Sequence, residues 1–234
     1  MTLSGRVVVV TGASRGIGRA AALALAKAGA HVLAIARKID ALEKLDDEIQ
    51  TAGGTASLVP LDLKDFAGID RIPAALYERW GKLDGLFGNA GILGPITPLT
   101  HMNPRAWDDL IAINLTANWR LLRALDPLLR KSDAGRVLFV SSGAAHFNRA
   151  YWGGYAITKA ALEVLTFTYA AECNGTSVRA NALNPGPTRT EMRAQAFPGE
   201  DPQTLPTPEE MTPLIVELLS PECTRNAELI NFRP

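Results

Sequence analysis

This 234-residue sequence has no excess of either sign of charge and no long hydrophobic run. Lysine and arginine number 24, as do aspartate and glutamate, so the formal net charge is zero. Because neutralising phosphates requires a basic excess, this balance argues against binding to nucleic acid or to an anionic membrane. The apolar run at residues 7–10 is far too short for a membrane span or a signal peptide core, which favours a cytoplasmic location.

Cysteine is nearly absent as well. Cys173 and Cys223 are the two in the sequence, and they form no CxxC pair and have no histidine cluster beside them. No zinc-ligand spacing is present, so no metal site is predicted, and two reduced thiols are expected. Apolar residues make up 47% and charged residues 21% of the chain, which is typical of a globular protein, and the length suits one domain over residues 1–234.

Short apolar runs alternate along the chain with segments of helical periodicity. Strands are predicted at residues 6–11, 31–36, 57–61, 83–88, 136–141, 177–183 and 228–232. Helices are predicted at residues 16–27, 38–51, 104–129, 154–172 and 208–219, with a charged helical stretch before Trp80. Thr207 and Glu210 would form a capping box before the last helix. The alternation predicts a Rossmann-type, doubly wound parallel sheet of about seven strands, an α/β fold with helices on both faces.

A glycine-rich loop, TGASRGIG at residues 11–18, follows the first predicted strand directly. Ligands bind at the carboxyl ends of parallel strands, and such a loop with the following helix N-terminus suits a pyrophosphate. Gly12 would allow the tight turn, Gly16 a close approach of the backbone to phosphates, and Gly18 close packing of the helix. The spacing is TGxxxGxG rather than GxGxxG, and a simple tight turn is the alternative interpretation.

The end of the second strand bears on the choice of cofactor. Enzymes that use NAD tend to carry an acid there for the ribose 2′-hydroxyl, but this sequence continues with Arg37 and Lys38. Arg37 can bind a 2′-phosphate through two hydrogen bonds, and Arg15 is a second candidate. We therefore expect NADP(H) in preference to NAD(H). A merely solvated Arg37 is the alternative.

Four polar residues near strand ends suggest catalysis of hydride transfer. Tyr155 and Lys159 are four residues apart, which puts them on one helical face. Reduction of a carbonyl needs a proton donor; a phenol has a pKa of about 10, and a nearby ammonium such as Lys159 would lower it. Ser142 could donate a hydrogen bond to the reacting oxygen. Asn114 lies inside a predicted helix, where asparagine is unfavourable. Each has an ordinary structural explanation when taken alone, and only the combination points to a site.

These motifs together resemble the short-chain dehydrogenase/reductase (SDR) family over nearly the whole chain. The matching pieces are TGASRGIG at 11–18, Asp62, NAG at 89–91, Asn114, Ser142, YAITK at 155–159 and NPG at 184–186. The resemblance implies an NADP(H)-dependent oxidoreductase that acts on a carbonyl or secondary alcohol. The alternative is a non-catalytic NADP-binding scaffold or sensor with the same fold.

The resemblance also implies roles for single residues. Tyr155 would be the acid/base, and Ser142, 13 residues before it, would orient the substrate in place of Ser141. Lys159 would also bind the nicotinamide ribose, and Asn114 would hold a water in a proton relay to Lys159. Asp62 would contact the adenine, and Thr188 and Thr190 the nicotinamide carboxamide and the pyrophosphate. The cofactor-binding residues expected are Gly12, Ser14, Arg15, Gly16, Ile17, Gly18, Arg37, Asp62, Leu63, Asn89, Ala90, Gly91, Tyr155, Lys159, Pro185, Gly186, Thr188 and Thr190.

The sequence departs from that family at Gly88, where asparagine is frequent, and in a short substrate lid at residues 191–206 followed by a short tail. Candidates for contact with a small-molecule substrate are residues 92–98, Ala144, His146, Arg149, Tyr151 and Trp152. Tyr151 and Trp152 could form an apolar wall or, equally, a subunit interface, whereas His146 and Arg149 could simply be solvated. The family commonly pairs through helices that here span residues 114–129 and 155–172, so a homodimer or homotetramer is expected.

Overall fold

The computed structural model describes residues 3–233, and these residues form one seven-stranded sheet in the order β3-β2-β1-β4-β5-β6-β7. Every neighbouring pair is parallel. The strands are β1 (Val7–Thr11), β2 (His31–Ala36), β3 (Thr55–Pro60), β4 (Gly85–Gly88), β5 (Arg136–Val140), β6 (Arg179–Asn184) and β7 (Leu229–Asn231). The predicted doubly wound parallel sheet is confirmed, and its order reverses between β1 and β4, where a crevice opens at the strand ends.

Eight α-helices connect these strands within the described residues. They are α1 (Gly16–Lys27), α2 (Ile39–Thr51), α3 (Phe66–Trp80), α4 (Pro104–Leu110), α5 (Ala117–Leu129), α6 (Gly153–Glu172), α7 (Glu191–Ala196) and α8 (Thr212–Leu218). Hydrophobic residues of α1, α2 and α8 pack on one face of the sheet, and those of α3, α5 and α6 pack on the other. Within residues 3–233, no helix combines the length and apolarity that crossing a membrane requires.

The central strand shows why the strands read as continuous apolar runs. Val8 and Val10 belong to the hydrophobic core under α1, whereas Val7 and Val9 belong to the core on the opposite face. Successive side chains of a strand point to opposite faces, and here helices cover both of them. All five residues of β1 are buried as a result, and the loop that follows is held on a rigid support.

Three predicted strands, at 57–61, 83–88 and 177–183, start two residues away from the observed β3, β4 and β6. The strand β3 begins at Thr55 because it pairs with His31 of β2, whose ring nitrogens lie 2.8 Å from Thr55 Oγ1 and 2.9 Å from Ser57 Oγ. Because β3 is a half-exposed edge strand, it begins with polar and small residues, and the apolar pattern did not mark them as part of a strand. The strand β4 begins only at Gly85, since the Leu83 N–H instead donates to the carbonyl of Leu128 at 3.1 Å. The strand β6 begins only at Arg179, since Ser177 instead donates from its hydroxyl to the carbonyl of Ser132.

The prediction of one continuous α-helix at residues 104–129 is wrong. A π-helical segment, Ile111–Thr116, separates α4 from α5 and contains the buried Asn114. Short π segments occur inside α-helices, frequently at functional sites. The Asn114 side chain hydrogen-bonds to the backbone of Ile92, outside its own helix, and such bonds compete with regular helical pairing.

The C-terminal part of the chain also differs in detail from the prediction. A 3₁₀ turn, Pro208–Met211, precedes α8, whereas one helix was expected over residues 208–219. The predicted capping box is confirmed, with Glu210 Oε1 accepting the Thr207 N–H at 2.8 Å. The predicted lid, residues 191–206, contains the short helix α7, whose first turn is capped by Thr190.

Candidate active site

Hydrogen bonds of Thr11 and Asn89 join the loop after β1 to the end of β4. Thr11 Oγ1 accepts the backbone N–H groups of Asn89 and Ala90, both at 3.0 Å. In return, Asn89 Nδ2 donates to the Thr11 carbonyl oxygen at 3.1 Å. These bonds fix the relative positions of the two strand ends that flank the crevice. Asn89, which was expected to bind the cofactor, therefore braces the glycine loop in this structure, and cofactor binding by Asn89 stays a prediction.

Gly12 and Gly18 occupy positions that a side chain could not share. Gly12 has φ +66°, and a Cβ there would lie 2.9 Å from Asn89 Nδ2. A Cβ on Gly18 would lie only 2.3 Å from the Gly12 carbonyl oxygen. The expected tight turn at Gly12 and the close packing of the helix at Gly18 are both present. The loop thus presents bare backbone to the crevice, as a pyrophosphate cradle requires.

A cleft of about 890 Å³ opens at the carboxyl ends of the strands, a size typical of a site for a large organic ligand. Of the predicted cofactor residues, all line it except Gly18, which lies beneath the loop. Ser142, Tyr155 and Lys159 line it too, but Asn114 does not. Within residues 3–233, no group of three or more histidine, cysteine, aspartate or glutamate side chains could hold a metal ion.

One end of this cleft is basic. Arg37 and Lys38 line it and are exposed. Arg15 also lines the cleft, where its guanidinium forms an ion pair with the carboxylate of Glu191, at the start of α7. Asp62 lines the wall nearby, with Oδ1 accepting the N–H of Lys64 at 2.9 Å. This end can receive a nucleotide carrying an additional phosphate, as the sequence predicts.

Tyr155, Lys159 and Ser142 meet at the other end. Tyr155 and Lys159 stand on consecutive turns of α6, and Lys159 Nζ lies 5.7 Å from the centroid of the Tyr155 ring. Ser142 follows β5 and caps a short 3₁₀ turn by accepting the N–H of Ala144 at 3.2 Å. Helix α6 and strand β5 therefore bring together a phenol, an ammonium and a hydroxyl at one cleft wall.

Lys159 is buried beneath the surface of the cleft wall, and its pKa is strongly lowered. It is 3% exposed, and Nζ donates a 2.7 Å hydrogen bond to the carbonyl oxygen of Val140. Burial lowers the pKa of Lys159 to about 8, against the opposing influence of the Glu163 carboxylate. A lysine with a pKa near neutrality can hold or release a proton at working pH.

The expected lowering of the pKa of Tyr155 by Lys159 is not found. Burial raises the pKa of Tyr155, and the hydrogen bond with Ser142 opposes that rise. The physical reason is that the ammonium faces the ring and is held by the Val140 carbonyl, so desolvation of the phenol dominates. The phenol therefore stays protonated at neutral pH.

Asn114 is placed behind this group of residues. Its side-chain oxygen accepts the Ile92 N–H at 2.8 Å, and Nδ2 donates to the Ile92 carbonyl at 2.9 Å and to Thr158 Oγ1 at 3.0 Å. Its own backbone carbonyl accepts from Asn118 Nδ2 at 2.8 Å. These bonds tie the π-helical segment to α6, and a water relay through Asn114 stays a prediction.

A buried carboxylate near the site was missed in the sequence. Glu163 accepts a hydrogen bond from the Ser141 hydroxyl and lies 3.0 Å from His146 Nε2. Its spacing of four residues from Lys159 continues the same helical face and was the available signal. His146, expected to contact substrate or solvent, thus braces the loop after Ser142 from outside the cleft.

The structure separates the other substrate candidates. Trp152, Ile92 and Leu93 line the cleft, whereas Tyr151 is 56% exposed and lies outside its lining. Ala144 and Arg149 do not line it either. Phe197 of the lid lines the cleft but was not singled out, because nothing in a loop-like stretch marks which residue turns inward.

Comparison with known proteins agrees with this geometry. Residues 6–201 match the short chain dehydrogenase family. The chain is 39% identical over 226 residues to YciK, an uncharacterized oxidoreductase of Escherichia coli K12, covering 95% of this chain and 89% of the relative. A short chain dehydrogenase of Shigella flexneri complexed with NADP gives a TM-score of 0.94 at 38% identity, covering 99% of this chain and 98% of the other. One from Escherichia coli CFT073, complexed with NADPH, gives 0.94 at 37% identity with the same coverage.

Proposed function

The chain belongs to the short-chain dehydrogenase family and is an oxidoreductase, and from this premise we propose that it transfers a hydride between NADP(H) and a carbonyl or secondary alcohol. Tyr155 is the acid/base of the proposal. The observation that carries it is the meeting of Tyr155, Lys159 and Ser142 on the wall of the cleft that the glycine loop borders. The bare backbone at Gly12 and Gly18 fits the nucleotide's pyrophosphate.

Each of the three residues has a distinct task in carbonyl reduction. A bound nicotinamide nucleotide supplies the hydride. Tyr155, kept protonated by its raised pKa, gives its proton to the oxygen that becomes the alcohol. Ser142 donates a hydrogen bond to that oxygen as its negative charge develops. Lys159, protonated below about pH 8, stabilises the phenolate that Tyr155 leaves behind.

A panel of ketones, aldehydes and secondary alcohols tests the activity itself. Reduction of a carbonyl should consume NADPH, and oxidation of the corresponding alcohol should regenerate it, both followed by absorbance. Failure of every carbonyl and alcohol to change the NADPH concentration, in a protein that binds NADPH, would favour the scaffold or sensor instead. Substitution of Tyr155 assigns the proton donor.

Preference for NADP(H) is proposed from the basic end of the cleft and from the NADP and NADPH bound by the Shigella and Escherichia relatives. Replacing Arg37 by serine removes a charged donor from the 2′-phosphate, and hydrogen bonds to charged groups contribute about 1.5–3 kcal/mol. We expect the Kd for NADPH to rise about ten- to a hundredfold, and that for NADH to stay within about twofold. Fluorescence titration measures both.

Arg105→Ser is the matched control, since it removes the same charge from an exposed position outside the cleft lining. Its NADPH affinity should equal that of the unchanged protein. An Arg37→Ser variant that binds NADPH as tightly as the control would remove Arg37 from the phosphate site.

A homodimer or homotetramer is proposed from the exposed apolar residues of two neighbouring helices. Trp119 on α5 is 44% exposed, and Ile157 and Val164 on α6 are 41% and 66% exposed. Val164→Glu would put a charge in a buried interface, so light scattering should find a smaller particle than for the unchanged chain. Val164→Thr is the control, and a monomeric unchanged chain would contradict the proposal.

A further inference from the structure

Two aromatic rings form a wall beside Tyr155. The rings of Trp152 and Phe197 lie 5.5 Å apart between centroids, tilted by 31°. Trp152 also makes an edge contact with Tyr155, at 6.3 Å and 68°. All three line the cleft and are half-buried. A substrate whose carbonyl oxygen reaches the Tyr155 hydroxyl would therefore rest its remaining atoms near this aromatic wall, defined as Trp152 and Phe197.

Backbone and side-chain contacts hold each ring of the wall in place. Trp152 follows Tyr151, whose φ of +75° is unusual for a bulky residue and whose carbonyl accepts the Thr97 N–H at 3.1 Å. Strained backbone of this kind tends to occur at functional sites. On the lid, the guanidinium of Arg193 stacks 3.8 Å from the centroid of the Phe197 ring. The aromatic wall is thus formed in advance of binding.

The cation behind the wall is already neutralised. Arg193 donates to both oxygens of Glu200, from Nε at 2.5 Å and from Nη2 at 2.6 Å. These hydrogen bonds keep the pKa of Glu200 below its usual value, so the pair stays charged over the neutral range. An anionic group on the substrate would have to compete with Glu200 for Arg193. The lid therefore offers aromatic surface without a free positive charge on Arg193.

From this wall we infer that the substrate is an uncharged aryl carbonyl compound, or the corresponding alcohol, with its ring packed on Trp152 and Phe197. The inference rests on the proposed hydride transfer and adds a substrate class to it. An aryl group gains from burial and from offset or edge contact with other rings, whereas a short alkyl chain buries less apolar area and has no ring to stack. A carboxylate on the ring would lose its hydration without gaining the charge of Arg193, which Glu200 already pairs.

Three ketones test the proposed substrate class: acetophenone is an uncharged aryl ketone, butan-2-one a short alkyl ketone and 4-acetylbenzoate an anionic aryl ketone. NADPH supplies the hydride and Tyr155 the proton, giving the secondary alcohol in each case. We expect kcat/KM for acetophenone to exceed that for either other ketone by about tenfold or more. Equal values for butan-2-one or for 4-acetylbenzoate would overturn the inference.

Substitutions in the wall should change the ratio of two substrates rather than abolish activity. In Trp152→Ala and Phe197→Ala, kcat/KM for acetophenone should fall about tenfold relative to butan-2-one, mainly through KM, since the wall binds ground state and transition state alike. Trp152→Phe should retain most of the aryl preference. Tyr77→Ala is the control, because Tyr77 is 56% exposed and outside the cleft lining. An unchanged ratio in both alanine variants would remove the wall from substrate binding.

Glu200→Gln offers a gain of function as a second, independent measurement. With Glu200 neutral, the charge of Arg193 becomes available, so the ratio of kcat/KM for 4-acetylbenzoate to that for acetophenone should rise about fivefold or more. A ratio that does not rise would overturn the part of the inference by which the Arg193–Glu200 pair selects uncharged rings.

Calorimetry separates failure of this inference from failure of the proposed function. Acetophenone is titrated into the Tyr155→Phe variant saturated with NADPH, where binding needs no turnover. Binding there, with no reduction of acetophenone or of any other carbonyl by the unchanged protein, would overturn hydride transfer and support the aromatic wall. Reduction of butan-2-one without aryl preference would overturn the wall and leave hydride transfer standing. If acetophenone is neither bound nor reduced, the inference about the aromatic wall is overturned too.

Discussion

Replacing Tyr155 by phenylalanine should lower kcat for carbonyl reduction by about 10²- to 10⁴-fold, the usual contribution of a positioned acid/base group. Phenylalanine keeps the ring that contacts Trp152 and loses only the hydroxyl. No group that can give up its proton near neutral pH then remains at the oxygen that becomes the alcohol, because the Ser142 hydroxyl can only hydrogen-bond to it. Steady-state rates of NADPH oxidation at saturating ketone measure the effect.

Binding of NADPH gives the companion measurement. The glycine loop, Arg37 and the Lys159 ammonium are unchanged in Tyr155→Phe, so the Kd for NADPH should move by no more than about threefold. Tyr151→Phe is the matched control, since that exposed tyrosine lies four residues away and outside the cleft lining. Full activity in Tyr155→Phe would exclude the phenol as proton donor. Loss of NADPH binding together with activity would point to a structural role instead.

Local sequence patterns were enough to predict the sheet and the position of the cleft. Apolar strands between amphipathic helices require a parallel sheet, and the glycine loop must then lie at the strand ends beside Asn89. Tyr155 and Lys159 are on one helix, so their proximity follows from helical spacing alone. Ser142 reaches them because β5 ends beside α6. These placements depend on neighbours in sequence or on strand order, which patterns determine well.

Contacts between distant segments, and contacts inside a segment without a regular repeat, could not be predicted in the same way. Phe197 meets Trp152 only because the lid folds back over the start of α6, and Arg193 finds Glu200 inside the lid itself. The π-helical segment depends on a bond from Asn114 to a loop 22 residues earlier in the chain. The pKa of Tyr155 depends on how far the folded protein excludes water from the phenol. Charge and spacing in the sequence carry no measure of that exclusion.

Lys159→Met should produce two large and opposite effects, a loss of turnover and a gain of stability. Turnover should fall by about 10²-fold or more, because the phenolate formed at Tyr155 loses the ammonium that stabilises it. Stability should rise because the folded protein no longer holds an ammonium that is 3% exposed. A pKa lowered from 10.5 to about 8 corresponds to about 3 kcal/mol of destabilisation at neutral pH.

Part of this gain is offset in the variant. Methionine cannot donate to the Val140 carbonyl, which Lys159 bonds at 2.7 Å, and it leaves Glu163 without a neighbouring cation. The lost hydrogen bond costs about 1 kcal/mol, so the net rise in unfolding free energy at pH 7 is about 1–2 kcal/mol. For a chain of this size, that is a rise in Tm of about 4 °C. Lys44→Met, at an exposed position on α2, is the control and should leave both activity and Tm nearly unchanged.

The dependence on pH distinguishes this explanation from a general improvement in packing. Below about pH 8, Lys159 is protonated in both folded and unfolded chains, and the full cost of burying its charge is present. Between about pH 8 and 10.5 the unfolded chain still holds the proton that the folded chain has released, so this cost disappears as pH rises. The stability advantage of Lys159→Met should therefore shrink across that interval. An advantage that stays constant from pH 7 to 10 would mean that the buried ammonium is not its source. Burial of Lys159 would then not lower the free energy of unfolding.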